Sequence, residues 1–541
     1  MSSMSSLGAA ISGLRMNQRG LQVTGQNIAN INTKGYTRQR INLADGFYNK
    51  IGNSGNSDLK TGTGVEVVNI SQIRDKFLDV SYRRETGREA YYKTQLSSAE
   101  EIEGVLGEIE TGDGFSNVIT ALWESMNELS KNPESIELRG SFVQNAVLFV
   151  DRANDISNQL ENYQASLNSK IKDATEEINL LTSEIAKLNK EIAKNEVSGG
   201  YANDYRDQRN NCLDRLSQLI DISYREEKDG QITVSTEGYT VVDGNKAATM
   251  GVQVADKDLL LIEPIWENTG QKVFNSSEII SPSKEKGQLK SLLNSRGSKK
   301  ADYTDMLDPG SYEKIESSFI MRTQAQFDQL VNNIVTLIND QIAPNSGTTG
   351  NLNKDDLNSP YGLDGSRHIE LFKRKQVDRY DDTGKYNEED ISGVDKSSLY
   401  SAGNIEINAE ILKDVSKLAL NVDKDDPADN SLVEDLITKW KEPTIKLDPS
   451  LEYSNNISDY YGGLVSKLGS EGQRVKNQFN NQQSLSNQIN NQRSQISGVS
   501  TDEELGNMMK YQHAYNANAK VVSVIDSMIE QIVTSLGVVG R

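Results

Sequence analysis

The chain opens on an amphipathic helical pattern over residues 5–36. Leu7, Ile11, Leu14, Leu21 and Ile28 fall on a seven-residue grid, with Gln18 and Gly25 as polar or small interruptions. The last stretch, 501–536, repeats the spacing with more apolar residues. There the grid is Leu505, Met508, Tyr515, Ala519, Val522, Ile529, Val533 and Leu536, interrupted by Gln512 and Asp526. Sustained 3–4 spacing marks helices that pack lengthwise against other helices. Chain ends usually fray and carry little pattern. Here they are the most patterned parts, which predicts that neighbours complete the molecule.

Between the ends the period changes more than once. Ile156, Leu160, Tyr163, Leu167, Ile171, Ala174, Ile178, Leu181, Ile185, Leu188 and Ile192 step by threes and fours, a coiled-coil seam flanked by Glu and Lys and stopped at Ser198-Gly199-Gly200. Leu213, Leu216 and Ile220 start a returning helix, so 151–221 reads as an antiparallel hairpin. Over 222–282 the period is two, with Asp229-Gly230 and Asp243-Gly244 as hairpin turns. Helix resumes over 287–296 and 311–342. The stretch 343–450 is the least regular and reads as an inserted surface domain. Helix then continues from Ser458, with a thin seam at Val475, Phe479, Gln482, Ile489 and Ile496 inside an Asn/Gln-rich run.

These patterns predict a mainly α fold with inserted β-rich domains, its N- and C-terminal portions forming a long antiparallel helical bundle or coiled coil. The expected divisions are 1–70 with 497–541 as a terminal helical, tube-forming domain, and 71–221 with 283–342 and 455–496 as a helical bundle. A β-rich segment, 222–282, and a variable inserted domain, 343–454, complete the set.

Composition narrows the function. A net charge of −20 argues against nucleic acid and against anionic membrane surfaces. No run approaches the ~20 apolar residues of a membrane span, and Met1–Asn30 lacks the apolar core of a cleavable signal peptide. Cys212 is the sole cysteine, so no intrachain disulfide can form; with no His nearby in sequence, it reads as a small buried hydrophobe. Of two histidines, His368 and His513, neither sits in a ligand pattern, and no H-E-x-x-H, C-x-x-C, Walker A or G-x-S-x-G motif occurs. Asp423, Asp425, Asp429 and Glu434 imitate an EF-hand loop, but Pro427 and Ala428 stand where a ligand and a glycine are needed. No catalytic, cofactor or metal site is expected.

The remaining signal is in motifs. Asn27-Ile28-Ala29-Asn30 followed by Thr33, Gly35 and Tyr36 resembles the signature of flagellar rod, hook and junction axial proteins. Its extension Tyr36-Thr37-Arg38-Gln39 resembles the junction-type version. Ser497-Gly498-Val499-Ser500, Asp502-Glu503-Glu504-Leu505, Asn507, Tyr511-Gln512, Ala514-Tyr515 and Ala519-Lys520-Val521 are similar to the C-terminal signature of the flagellar hook-associated protein 1 family. Asp207-Gln208-Arg209 resembles a helical element of the same family, with Asn210 in place of its final acid, and Ile405-Glu406-Ile407-Asn408 resembles a piece of its inserted region. Residues 345–400 diverge.

The resemblance implies a structural part of the bacterial flagellum, not an enzyme. It implies a homo-oligomeric ring between hook and filament, with the hook protein on one side and a second junction protein and then the filament on the other. It also implies an extracellular place, reached by type III export without a cleavable signal, and a cytoplasmic export chaperone at the C-terminal helix. The expected subunit-packing corner is Asn27, Ile28, Asn30, Gly35, Tyr36 and Arg38. Asn30 ends a helix there, Gly35 takes a positive φ, and Arg38 meets an acidic neighbour. The expected packing helix presents Leu505, Met508, Tyr515, Val522, Ile529 and Leu536. The main alternative is another axial subunit of hook, rod or flagellin type. An enzyme with its active site in 343–450 and a non-flagellar coiled-coil adaptor explain less of the pattern.

Overall fold

The computed structural model describes residues 2–54, 57–107, 114–197, 199–256, 260–274, 285–344, 359–381, 385–392 and 395–537, with the side chains of 2–5, 51–54, 57–59, 256 and 536–537 left out. Helix α1 (Ser2–Ala29) leads into two β-ribbons, β1 (Gln39–Asp45) with β4 (Val65–Gln72) and β2 (Tyr48–Ser54) with β3 (Ser57–Gly62), all antiparallel. Helices α2 (Lys76–Leu106), α3 (Phe115–Lys131), α4 (Ile136–Glu196) and α5 (Asn203–Leu219) follow. Asp75 caps α2 through the Phe77 and Leu78 amides (2.8 and 3.2 Å), and Gly107 ends it at φ 71°.

A four-stranded antiparallel sheet comes next, built in chain order from β5 (Ser223–Glu226), β6 (Ile232–Thr236), β7 (Tyr239–Asp243) and β8 (Lys246–Ala247). The hairpin of β9 (Met250–Asp256) and β10 (Leu261–Trp266) completes the β-rich part. Helices α6 (Gln288–Arg296), α7 (Pro309–Ile315) and α8 (Phe319–Ile342) return to the bundle. The short pair β11 (Phe372–Arg374) and β12 (Ile405–Ile407), helix α9 (Ala409–Lys413) and helix α10 (Ser431–Lys441) occupy the irregular stretch. Two long helices, α11 (Ile457–Ser497) and α12 (Thr501–Gly537), end the described chain.

Helix α4 runs 61 residues, about 90 Å at 1.5 Å per residue. Its seam is buried from Ile156 to Ile192, save for half-buried Tyr163 and Leu181. What covers it is α5, α6 and the two small sheets, not a second coiled-coil strand. The sheets dock through side-chain amides on α4. Asn179 exchanges two hydrogen bonds with the Met250 backbone (2.8 and 2.8 Å). Asn189 does the same with Ile232 (2.8 and 3.1 Å), and Asn168 bridges Leu260 O and Ile262 N (3.1 and 2.9 Å).

The stretch expected to lie on the surface is welded into the bundle instead. Phe372 meets Phe149 edge-on at 5.9 Å, and Phe149 belongs to a cluster with Phe115, Phe327 and Tyr461. Trp440 packs on Trp123 at 5.7 Å, and buried Arg139 donates to Leu418 O and Asn421 Oδ1 (2.5 and 3.0 Å). Asn339 on α8 clamps the Phe372 backbone (2.7 and 3.1 Å). Scattered large aromatics supply this core without a period, which is why the pattern alone read it as peripheral.

The terminal pair is the second departure. α1 and α12 lie antiparallel. The buried face of α1 carries Ala10, Gly13, Asn17, Gly20, Thr24 and Asn27, in alternating steps of three and four, with Val23 buried beside them. Gly20 faces the Tyr511 ring, Gly13 faces Asn518, and Asn27 bonds Glu504, so the register repeats every seven residues on both helices. The apolar grid Leu7, Ile11, Leu14, Leu21, Ile28 is one residue over. Ile11 is exposed and the other four are half-buried. Small side chains let two backbones approach closely, so apart from Val23 and Ile525 the buried seam is small and polar while the apolar grid turns partly outward.

Candidate functional site

The site is the corner where α1, the loop 30–38 and the start of α12 meet the body. Asn27, in the last turn of α1, uses all four of its hydrogen-bonding positions. Its Nδ2 donates to Gln39 O and to Glu504 Oε2, both at 3.0 Å. Its Oδ1 accepts from Tyr36 OH at 2.8 Å and from the Gln39 amide at 3.0 Å. Arg38 donates Nε to Glu504 Oε1 (2.8 Å) and both terminal nitrogens to Glu503 (2.9 and 2.8 Å). Glu504 therefore receives Asn27 on one oxygen and Arg38 on the other.

The loop geometry follows from its residues. Thr33 N bonds Asn30 O (2.9 Å) and Tyr36 N bonds Thr33 O (3.1 Å), two consecutive tight turns. Asn30 braces the helix end by donating to Gln26 O (2.9 Å) and accepting from Thr33 Oγ1 (3.1 Å). Gly35 sits at φ +80°, and a Cβ there would lie 2.1 Å from Asn211 Oδ1 on α5. A side chain is excluded by both conformation and space.

Thr37 then anchors the loop to the body. Its hydroxyl and its amide both donate to Asp207 on α5, at 2.5 and 3.1 Å. Arg74 donates to the same hydroxyl (3.1 Å) and grips Asp79 with two bonds (3.0 and 2.9 Å). Arg493 on α11 reaches Asp214 (2.5 Å) and Asp79 (3.5 Å), while Arg83 also holds Asp214 (2.7 Å). Four separate stretches of chain thus share one ionic joint. Burial pushes the Asp207 carboxyl up to about 6, against the two Thr37 bonds and Arg74, with Asp204 adding to the rise. Asp79 goes the other way: burial would raise it, but the Arg74 fork, with Arg83 and Arg493 nearby, holds it below the usual carboxylate range. Burial, reinforced by Asp207, Asp204 and Glu504, raises the Tyr36 phenol far beyond physiological pH, so it acts as a donor.

Of the candidate corner residues, Asn27, Tyr36 and Arg38 join one network, with Asn30 and Gly35 shaping its loop and Ile28 half-buried beside it. On α12, Met508, Val522 and Ile529 are half-buried, whereas Leu505 and Tyr515 are exposed. The Leu536 side chain lies outside the described residues. The α12 residues that meet α1 include Glu504, Tyr511 and Asn518, and Ile525 is buried one heptad further on. Glu504 and Tyr511 stand in the C-terminal motif, yet the expected packing face left them out because it followed apolar positions. The signal was present as a Gly13, Gly20, Asn27 repeat, which marks where a partner comes close.

Past Asn518, α12 leaves Val521, Val524, Met528, Ile532 and Val533 between 46% and 64% exposed. Among the described residues, no group of three or more His, Cys, Asp or Glu is placed to hold a metal ion, and no helix is long and apolar enough to cross a membrane. Cys212 is half-buried and burial raises its thiol pKa, so it is not a poised thiolate.

A family model for the flagellar hook-associated protein FlgK helical domain matches residues 99–356. The flagella basal body rod protein model matches 7–37, and the flagellar basal body rod FlgEFG protein C-terminal model matches 486–535. Flagellar hook-associated protein 1 of Bacillus subtilis is 29% identical over 544 residues, covering 98% of this chain and 97% of the relative. Its Salmonella typhimurium counterpart is 24% identical over 97% of this chain and 98% of its own length. The solved flagellar hook junction protein FlgK from Burkholderia pseudomallei aligns with TM-score 0.43 and 19% identity, over 55% of this chain and 46% of that one. Over nearly its whole length the chain is similar to the flagellar hook-associated protein 1 family.

Proposed function

We propose that this chain is a structural subunit of the bacterial flagellum, forming the junction ring between hook and filament and enabling the filament to assemble. The observation that carries the reading is the terminal helix pair. It closes on itself largely through small and polar residues, with Val23 and Ile525 buried, and leaves other apolar side chains of both helices open along its length. Burying the five open residues past Asn518 contributes on the order of 5 kcal/mol gross per subunit. Backbone ordering costs about 1–2 kcal/mol per residue, so one pair gains little alone and copies packed around an axis gain repeatedly.

Rod-type matches at both ends suit any axial subunit; the match over 99–356 favours the junction type. In this reading the partners are sister copies in a ring, the hook protein, a second junction protein and the filament. A cytoplasmic chaperone covers the apolar α12 until type III export, which needs no cleavable signal. The protein performs no catalysis.

A deletion strain tests the proposal. Expected are intact hooks, no filaments, and filament protein lost to the medium, with filaments restored by the full chain but not by a chain lacking 1–38 and 501–541. Normal filaments without the protein overturn the reading.

A further inference from the structure

We propose that a cavity in the body, away from the terminal helices, binds a small carboxylate with an apolar body. The proposal rests on the fold alone and stands apart from the flagellar reading. Shape, donors and charge carry it.

The cavity measures about 110 Å³ and lies where β10, the end of α6 and the α7–α8 corner meet. Its apolar wall is Pro264, Phe274, Leu293 and Met321, all buried. A comparable engineered cavity of about 150 Å³ holds one benzene, so this one suits a single ring or a short branched chain. Gly297, also in the wall, sits at φ +74°, and a Cβ there would collide with Met321. Only glycine permits that close passage.

Two donors in the wall are poorly matched. Arg296 is 2% exposed, yet the oxygens it holds are neutral. Its Nε donates to Gly297 O (3.0 Å), and its Nη1 donates to Asn168 Oδ1 (2.8 Å) and to Ile262 O. Nη2 takes no part in these bonds. Buried Arg139 is also held by neutral oxygens, but all three of its nitrogens are engaged and it is sealed at 0% exposure. Burial pushes the Arg296 guanidinium down to about 10, against the pull of Glu263. The second donor is the Ser298 amide, which bonds Met321 Sδ at 3.2 Å. A thioether is a weak acceptor, and a carboxylate oxygen is a far stronger one.

Charge completes the fit. The charged side chains in the wall are Arg296, Lys272, Lys314 and Glu263. Glu263 pairs with Lys272, which leaves Arg296 and Lys314 as a local positive excess on a chain of net charge −20. A ligand whose ring lies on the apolar wall presents its carboxylate to Arg296 and the Ser298 amide, with exposed Lys314 attracting it at the rim. Because β10, α6 and α8 share the wall, the ligand ties the β-rich part to the bundle.

Calorimetric titration of the full-length subunit with benzoate tests the proposal. Saturable binding with a dissociation constant on the order of 1 mM is expected, about tenfold tighter than for neutral benzamide. Amide exchange at Ser298 slows when benzoate is bound. Lys314→Glu weakens benzoate about threefold and leaves benzamide unchanged, whereas Lys194→Glu, exposed at the far end of α4, changes neither. Arg296→Met abolishes the preference for benzoate over benzamide; circular dichroism melts check its folding, and Lys314→Glu decides the matter if it does not fold. No saturation by about 10 mM benzoate, equal binding of benzamide, an unaffected Ser298 amide, no effect of Lys314→Glu, or equal weakening by Lys194→Glu overturns the proposal.

Discussion

Asparagine does much of the joining in this molecule. Asn27, Asn179, Asn189 and Asn339 each stand on a helix and exchange two hydrogen bonds with one residue's N–H and C=O, at Gln39, Met250, Ile232 and Phe372. The side-chain amide copies a neighbouring strand's backbone and satisfies groups that would otherwise be orphaned in the interior. Asn189 adds Gly244 O (2.7 Å) and accepts from Arg209 (2.9 Å). Replacing Asn189 by Leu leaves the Ile232 amide and carbonyl buried without partners, so a loss of about 2–4 kcal/mol is expected, read in urea melts with faster exchange at Ile232. Asp207 has a pH signature instead. Its folded pKa, about 6, lies above the unfolded value. The folded state therefore binds the proton more tightly, and this group's contribution to stability grows as pH falls. Relative to Asp207→Asn, the parent should gain about 2 kcal/mol between about pH 7.5 and about pH 4.5. Asp79, held low by Arg74, behaves oppositely: its contribution is present above the unfolded carboxylate pKa and is lost as pH falls through the depressed folded value. Asn27 and Asp207 stand out through their motifs, but the clamps at Asn179, Asn189 and Asn339 are not legible in sequence, because a lone Asn on a helix reads as solvated surface.

At the scale of elements, the terminal helices show where periodicity informs and where it misleads. The seven-residue spacing was visible, and the α4 seam from Ile156 to Ile192 follows the apolar residues directly. On α1 the contact face is shifted by one residue onto Gly13, Gly20 and Asn27, because close approach, not apolar area, decides which face meets α12. Gly20 gives a test whose sign separates the two effects. Gly→Ala in a helix ordinarily gains about 1 kcal/mol. Here a Cβ would stand 2.7 Å from the Tyr511 ring, at its Cγ side as well as its edge, so the ring cannot swing away cheaply. Gly20→Ala should therefore lower filament formation in a complemented deletion strain and reduce crosslinking between cysteines placed at Gln18 and His513, both exposed. Gly8→Ala, which meets nothing within 4 Å, should be neutral. The loop 33–38 was legible for another reason: a positive φ at Gly35 and a basic residue beside an acidic signature are local chemistry, and local chemistry survives in sequence.

At the scale of the molecule, the long-range welds are what the sequence concealed. The stretch around Phe372, Tyr400 and Trp440 shares its core with α3, α4, α8 and α11, although 200 or more residues separate Phe149 from Phe372 along the chain. Its aromatics carry no period, so composition suggested a satellite where packing made a wall. One further consequence follows from the antiparallel course of α1 and α12. The start of the first helix and the far part of the last lie side by side, at the end of the pair opposite the corner. A fluorescent protein or epitope fused ahead of α1 or behind α12 should crowd that tip and abolish swimming. Spliced at Gly199–Gly200, where added atoms meet nothing within 4 Å, the same label should leave cells motile in soft agar, offering microscopists a benign handle.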